Sequence, residues 1–188
     1  AFVNGSLWNK LIRVSLIRET RIPDFKVGED LSFQLALFAR CHKIAFLDEV
    51  LIHYRVRVGS IISNTQEETI YAFAGQLQSL WEGAEQPWFK DTVALIAFIH
   101  IGISMTSRAY DNPDIQQKET IQWASNYFRT VFHWFRGNPW LKGASLARHG
   151  VKGLGIWAAI LCYHLHAFPL FLSAYKTMTR LFHIDIKF

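Results

Sequence analysis

Two neighbouring acids, Glu29 and Asp30, are the first residues whose type and spacing could carry chemistry. They follow Gly28 and precede the apolar-rich segment 31–38, which predicts that both acids open a helix, where the helix dipole favours negative charge. A carboxylate held beside a sugar hydroxyl can also take its proton while that oxygen attacks an anomeric carbon. The pair therefore has two interpretations: a general base at Asp30, or surface acids that stabilise a helix start.

A second candidate group lies in residues 50–60, where apolar and polar residues largely alternate. The alternation predicts a strand with Arg55 and Arg57 on one face and His53 beside them, leading to a glycine and Ser60. Guanidinium and hydroxyl groups are suited to binding a diphosphate. Arginines also commonly protect an exposed strand edge. The residues alone leave both interpretations open.

The elements that would position these residues change character along the chain. Up to residue 64, short apolar runs such as 44–47 alternate with turn residues, which predicts mixed strands and helices. Beyond that point, apolar residues recur at three- and four-residue spacing between prolines. Helices are predicted near residues 66–82, 90–109, 115–135, 144–166 and 169–183. The predicted fold class is α+β, with an α/β portion over residues 1–64 and a helical C-terminal bundle over residues 65–188.

Three motifs occur in a particular order in the first third of the chain. They are Trp8-x-Lys10-Leu11, Glu29-Asp30, and Tyr54-Arg55-x-Arg57-x-Gly59-Ser60-Ile61. Their order and spacing resemble the second half of a bacterial family 2 glycosyltransferase domain, over residues 4–64. The resemblance implies the acceptor-side portion of an A-type (GT-A-like) fold. It also implies a nucleotide-diphosphate sugar as donor and inversion at the anomeric carbon.

The resemblance assigns roles to residues on the acceptor side. Asp30 matches the catalytic base of the family, and Glu29 would help to position the acceptor hydroxyl. Trp8 and Lys10 would line the acceptor site. These assignments make the start of the predicted helix the centre of the expected active site.

On the donor side, the resemblance implies that Arg57 and Ser60 contact the diphosphate, with Arg55 as a further candidate. Family members usually use Mg²⁺ or Mn²⁺, bound mainly by a D-x-D motif in a preceding nucleotide-binding half. This chain contains no D-x-D motif, so the main metal ligands are expected outside it and the chain by itself is expected to be inactive. His53 is a candidate metal contact, with a packed or solvated strand histidine as the alternative.

The positive charge of the chain is concentrated in residues 131–188, which hold seven lysines and arginines and one acid. Within this region 23 residues, 153–175, carry no formal charge. They are long enough to cross a bilayer, but His164, His166 and Pro169 make an interfacial segment the better fit. An anionic membrane surface is one expected partner, and packing on other protein is the alternative. No nucleic-acid-binding motif is present, and nucleic acid is not expected as a partner.

These observations predict an inverting sugar transferase that elongates a cell-envelope or exopolysaccharide glycan. Its acceptor would be a glycan or a lipid-linked glycan, and its location the cytoplasmic face of the cell membrane. A non-catalytic, helical, membrane-associated interaction module is the alternative from another functional class. The two cysteines, Cys41 and Cys162, lie far apart and predict neither a disulfide framework nor a zinc site.

Overall fold

A computed structural model of the chain describes residues 5–24, 28–53, 67–111, 116–133 and 137–182. In these ranges 71% of the residues are helical and none lies in a strand. The described part of the chain is therefore all-α. The predicted α+β fold class, with an A-type α/β portion at the N-terminus, is wrong.

From residue 67 onward the described helices follow one another with short connections. In chain order they are α1 (Val14–Arg18), α2 (Glu29–Arg40), α3 (Glu67–Glu82), α4 (Pro87–Ala97), a π-helix (Phe98–Met105), α5 (Thr106–Asp111), α6 (Gln117–Thr130), a 3₁₀-helix (Pro139–Leu141), α7 (Gly143–Ala147), α8 (Gly150–His164) and α9 (Phe168–Phe182). Proline opens both α4 and the 3₁₀-helix, where its fixed φ fits and its missing N–H costs nothing. The helices predicted near residues 66–82, 90–109, 115–135 and 169–183 correspond to observed helical segments, whereas the helix predicted over 144–166 is divided between α7 and α8.

Helix α2 begins at Glu29, so the helix start predicted from the acid pair is confirmed. Gly28 precedes it with a φ of 90°, and a Cβ there would lie 2.7 Å from Cδ2 of Phe73 on α3. The left-handed backbone and the close approach of α3 both require glycine at this position. Residues 31–35 are all buried, which means that α2 is enclosed on every side over this stretch.

The longest helical segment runs without a break from Pro87 to Asp111 through α4, the π-helix and α5. Thr106 closes the π-helix, because its backbone N–H and its hydroxyl both donate to the carbonyl oxygen of Ile101, the hydroxyl at 2.6 Å. Over Pro87–Tyr110 this is the one helix among the described residues that is long and apolar enough to cross a membrane. Of its most apolar window, 72% is buried inside the protein, as expected for the central helix of a bundle.

Aromatic rings from four helices meet in the centre of the core. The ring centroid of Phe98 lies 5.4 Å from that of Phe128 and 5.5 Å from that of Tyr163, both in edge-to-face geometry. Tyr163 in turn stacks on Phe168 at 4.1 Å. These contacts tie the π-helix, α6, α8 and α9 into one packed unit, and such pairs add roughly 0.5–1.5 kcal/mol each beyond their burial.

Two buried tyrosines also link distant helices through their hydroxyls. Tyr127 donates to the carbonyl oxygen of Ala74 at 2.7 Å, and Tyr163 donates to that of Gly102 at 2.7 Å. Burial raises the pKa of both phenols well above the usual value. Both hydroxyls therefore keep their protons and remain donors.

The C-terminal helices are joined by close backbone contacts. A Cβ on Gly153 would lie 1.7 Å from the carbonyl oxygen of Leu146, so α7 and α8 approach too closely for any other residue. At the end of α8, Ala167 N–H donates to Cys162 and His166 N–H donates to Tyr163, while His166 has a φ of 55°. This is a Schellman C-cap, which stops α8 and redirects the chain into α9.

The strand predictions failed because the described part of the chain offers them no partner strand. Residues 44–47 and 50–53 are irregular. Phe46 is 88% exposed and Val50 is 81% exposed, so no sheet covers this run. β-prone residues form strands only where neighbouring strands supply hydrogen bonds and packing. Residues 54–58 of the second predicted strand lie outside the described residues.

Candidate functional site

The carboxylate of Asp30 lies in the first turn of α2 and is partly exposed, as is Glu29. One oxygen, Oδ1, accepts a hydrogen bond from the backbone N–H of Leu31 at 2.7 Å. The hydrogen bond and the positive end of the helix dipole both hold the carboxylate at the mouth of the helix. Within the described residues no donor is bonded to Oδ2, which leaves one oxygen for a ligand.

Lys10 lies close enough to Asp30 for the charge of the carboxylate to act on its ammonium, although 20 positions separate the two in sequence. Lys10 ends a turn in which its backbone N–H donates to the carbonyl oxygen of Leu7 at 3.1 Å. Its ammonium donates to the Ser6 carbonyl at 2.5 Å and to Oδ1 of Asn9 at 2.8 Å. Partial burial lowers the pKa of Lys10, while the negative charge of Asp30 acts in the opposite direction.

The backbone before Lys10 packs directly on the start of α2. A Cβ on Gly5 would lie 3.1 Å from the Cβ of Leu31, which is a tight contact. Trp8, on the same segment, is 47% exposed. The structure therefore brings the N-terminal turn, with Trp8 and Lys10, against the helix start that carries Asp30.

The predicted donor-side residues are not brought into this arrangement. Arg55, Arg57 and Ser60 lie outside the described residues. His53 is described and is exposed in an irregular segment. Among the described residues, no three His, Cys, Asp or Glu side chains cluster to hold a metal ion. Because the main ligands of the Mg²⁺ or Mn²⁺ ion are expected outside this chain, the metal site stays a prediction.

A shallow groove of about 330 Å³ lies near the other end of α2. It is lined by Ala39 and Arg40 on one side and by residues 83–86, between α3 and α4, on the other. Asp30 and Arg40 are ten residues apart on the helix, about 15 Å along its axis. The groove is therefore separate from the Asp30 carboxylate.

Sequence reasoning missed two polar side chains buried on α2. Ser32 is 0% exposed and Gln34 is 1% exposed, and neither side chain has a hydrogen-bond partner among the described residues. Gln34 follows Asp30 by one helical turn, so it lies on the same side of α2. Both residues are polar positions within an apolar run, and such positions usually mark the side of a helix that faces solvent. Nothing in the sequence indicated that they are buried.

Sequence reasoning also missed His100, on the π-helix. Its ring makes an edge contact with Phe73 at 6.3 Å. Burial, followed by the positive charge of Arg108, lowers the pKa of His100 to about 4. His100 is therefore neutral at physiological pH and acts as a core residue rather than as a surface charge.

The comparisons with known proteins assign the chain to no family. No protein-family model, no curated protein and no solved structure matches the chain.

Proposed function

We propose that this chain contributes the acceptor side of an inverting sugar transferase, with Asp30 as the general base. The observation that carries the proposal is that the turn bearing Lys10 packs against the start of α2, which brings Lys10 within range of the charge of the Asp30 carboxylate. These two residues come from motifs that are 20 positions apart and that the resemblance assigns to one site. The exposed ring of Trp8 on the same turn is further support.

The proposed step uses the carboxylate as a proton acceptor. Asp30 takes the proton of an acceptor hydroxyl, and that oxygen forms a bond to the anomeric carbon of the donor sugar. The bond between this carbon and the diphosphate oxygen breaks, and the nucleoside diphosphate leaves with the electron pair. Attack from the side opposite the leaving group inverts the anomeric configuration.

The neighbouring residues would bind and orient the acceptor. The Leu31 amide fixes Oδ1 of Asp30 and thereby directs the second oxygen towards the hydroxyl. The charge of Lys10 attracts an oxygen-rich acceptor. Trp8 offers an amphipathic ring that can cover an apolar sugar face. No step is assigned to Mg²⁺ or Mn²⁺, since the described residues hold no ligand set for either.

Replacing Asp30 by asparagine tests the proposal. The variant keeps the shape of the side chain and an acceptor for Leu31 N–H but removes the base. In the natural protein, we expect nucleoside diphosphate release from a panel of uridine and guanosine diphosphate sugars to fall by about 10²- to 10⁴-fold. Asp48→Asn, an exposed acid in an irregular segment, is the matched control and should keep the wild-type rate. Normal turnover by the Asp30→Asn protein would refute the assignment.

A non-catalytic, helical, membrane-associated module is the second candidate function. The observation that favours it is the set of large apolar side chains exposed on α8 and α9. Such a module would show no sugar transfer with any donor, in the wild-type or the Asp30→Asn protein. Both proteins would still bind a membrane surface.

A further inference from the structure

The π-helix carries a polar side as well as a buried one. Gly102 faces the core, where an added Cβ would meet the rings of Phe128 and Phe98. His100 and Ser104 lie two residues before and two residues after Gly102, about half a helical turn away. Both are half-buried. They therefore lie on the side of the π-helix opposite to the aromatic core.

Arg108 continues this polar side into α5. It follows Ser104 by four residues, which is about one helical turn, and it is also half-buried. Its charge reaches the imidazole of His100, because this charge is the second cause, after burial, that lowers the pKa of His100. The three side chains therefore share one neighbourhood. We call His100, Ser104 and Arg108 the polar cluster.

The polar cluster contains a positive charge that has no negative partner in the described ranges. There, no carboxylate forms an ion pair with Arg108 and no hydrogen bond joins its guanidinium to another group. Burial lowers the pKa of Arg108. A half-buried guanidinium without an acceptor has lost part of its hydration without a compensating interaction. A bound anion would supply the missing acceptor.

The donors of the polar cluster match a phosphoryl group. A guanidinium binds two oxygens of a carboxylate or a phosphate through parallel N–H bonds. The neutral imidazole of His100 and the hydroxyl of Ser104 each add one donor. A carboxylate has two oxygens, which the guanidinium already engages, whereas a terminal phosphate has a third. The polar cluster therefore fits a phosphoryl group better than a carboxylate.

The polar cluster lies on the side of the π-helix that packs against α3. The ring of His100 contacts Phe73 of α3, with the two ring centroids 6.3 Å apart. The same Phe73 ring lies against Gly28, which immediately precedes α2. One aromatic ring therefore bridges His100 and the helix start that carries Asp30.

From these observations we propose that the polar cluster binds a phosphoryl group, with Arg108 as its principal ligand. The proposal goes beyond the proposed transfer reaction, because the resemblance ends at residue 64 and assigns no role to the π-helix or α5. Such a group occurs in a nucleoside diphosphate and in the diphosphate of a lipid-linked glycan. Both present the same oxygens, and inorganic pyrophosphate represents this shared chemistry.

Binding of inorganic pyrophosphate to the natural protein tests the proposal. Nuclear magnetic resonance of ring-labelled histidine would follow the imidazoles, and the signals lost in His100→Phe would identify those of His100. We expect pyrophosphate to shift the His100 signals until they saturate. The absence of any shift of these signals at millimolar pyrophosphate would overturn the proposal.

Substitutions of Arg108 test the principal ligand. Arg108→Gln removes the charge and should weaken pyrophosphate binding at least about tenfold. Arg108→Lys keeps the charge without the planar fork and should also bind more weakly than the wild type. Lys118→Gln is the matched control, because Lys118 is an exposed cation on α6, and it should bind as the wild type does. Equal affinity in Arg108→Gln and the wild type would contradict the proposal.

A smaller substitution covers the case in which Arg108→Gln fails to fold. Ser104→Ala removes one hydroxyl from a half-buried position and should weaken pyrophosphate binding by about 2- to 10-fold. Circular dichroism would check that the variant retains its helices. A folded Ser104→Ala protein with wild-type affinity would count against the polar cluster as the binding site.

Two further ligands distinguish the sources of the phosphoryl group. Uridine diphosphate represents the nucleotide, and farnesyl diphosphate represents the lipid. The ligand that binds more tightly than pyrophosphate, and that loses affinity in Arg108→Gln, identifies the source. If neither ligand shifts the His100 signals, the proposal is wrong.

The Asp30→Asn protein separates this proposal from the proposed function. It should bind pyrophosphate as the wild type does while losing turnover. Normal turnover in Asp30→Asn, together with pyrophosphate binding, would refute only the catalytic assignment. Loss of turnover in a protein whose His100 signals never respond to pyrophosphate would refute only the phosphoryl site.

Discussion

The hydroxyl of Tyr163 on α8 donates a 2.7 Å hydrogen bond to the carbonyl oxygen of Gly102, 61 positions earlier on the π-helix. This contact joins α8 to the central helix of the bundle. Tyr163→Phe keeps the ring and removes the donor, so we expect the free energy of unfolding to fall by about 1–2 kcal/mol. Urea denaturation would measure it. Tyr71→Phe removes a hydroxyl that bonds the Glu67 side chain at a 38% exposed position, where water can replace the lost partner, so this control should cost less than Tyr163→Phe does.

Two helical glycines should respond to alanine in opposite directions. A Cβ on Gly102 would lie 2.9 Å from Cε2 of Phe128 and 3.0 Å from Cδ2 of Phe98. Gly102→Ala should therefore destabilise the protein by about 1–3 kcal/mol through overpacking. Gly75→Ala on α3 meets nothing within 4 Å and should stabilise it by roughly 0.5–1 kcal/mol. Thermal unfolding of both variants would show whether the signs differ, and a stable Gly102→Ala protein would contradict the packing described.

Asn138 connects the start of the 3₁₀-helix to α4. Its side chain accepts from Trp140 N–H at 2.9 Å and donates to the Asp91 carbonyl oxygen at 2.9 Å. Asn138→Ala should lower the free energy of unfolding by about 1–2 kcal/mol, because two partly buried backbone groups lose a hydrogen-bond partner. Asn138→Asp should lower the free energy of unfolding at least as much. The aspartate keeps the cap on Trp140 N–H, but it places a carboxylate oxygen, which cannot donate, against the Asp91 carbonyl oxygen. Chemical denaturation would rank the two against the exposed control Asn126→Ala, and an aspartate variant as stable as the wild type would argue against the donor bond.

The stability of the fold should depend on pH through His100. Its pKa falls from 6.5 to about 4 in the folded chain, through burial and the charge of Arg108. Between these values the unfolded chain binds a proton that the folded chain does not, so stability is full above pH 6.5 and is lost as the pH falls towards 4. The loss is on the order of 3 kcal/mol. Denaturation at several pH values would measure how the free energy of unfolding changes with pH. His100→Phe should remove most of this change. An unchanged pH dependence in that variant would assign it to other groups.

The helices were the most predictable part of the fold. Prolines and helical spacing located α3 and α6, and the acids before residue 31 located the start of α2. The π-helix was not predictable, because it follows from how Gly102 and Thr106 pack rather than from periodicity. The segment 44–53 was misjudged because its alternation is compatible with a strand, while a strand also needs neighbours that the sequence pattern does not supply.

The candidate site, like the fold, was predictable from the sequence only in part. The sequence motifs predicted Asp30 and Lys10 as site residues. The contact between the N-terminal turn and Leu31 brings Lys10 within range of the charge of Asp30. The buried state of Gln34 depends on how α2 is enclosed by other elements, which residue type alone does not reveal. The neutral, half-buried state of His100 was not predicted either, since nothing near it in the sequence indicates how deeply its ring lies.

The π-helix at Phe98–Met105 has a consequence for how this chain tolerates changes in length. Its i→i+5 hydrogen bonds take up one residue more per turn than those of an α-helix. One residue can therefore be removed there if the segment reverts to an α-helix, and Thr106 and Ala109, both 1% exposed, would still face the interior. A deletion within α6 has no such extra residue and would turn the rest of that helix by about 100°. We therefore expect a single deletion in Phe98–Met105 to disrupt the fold less than a single deletion in α6.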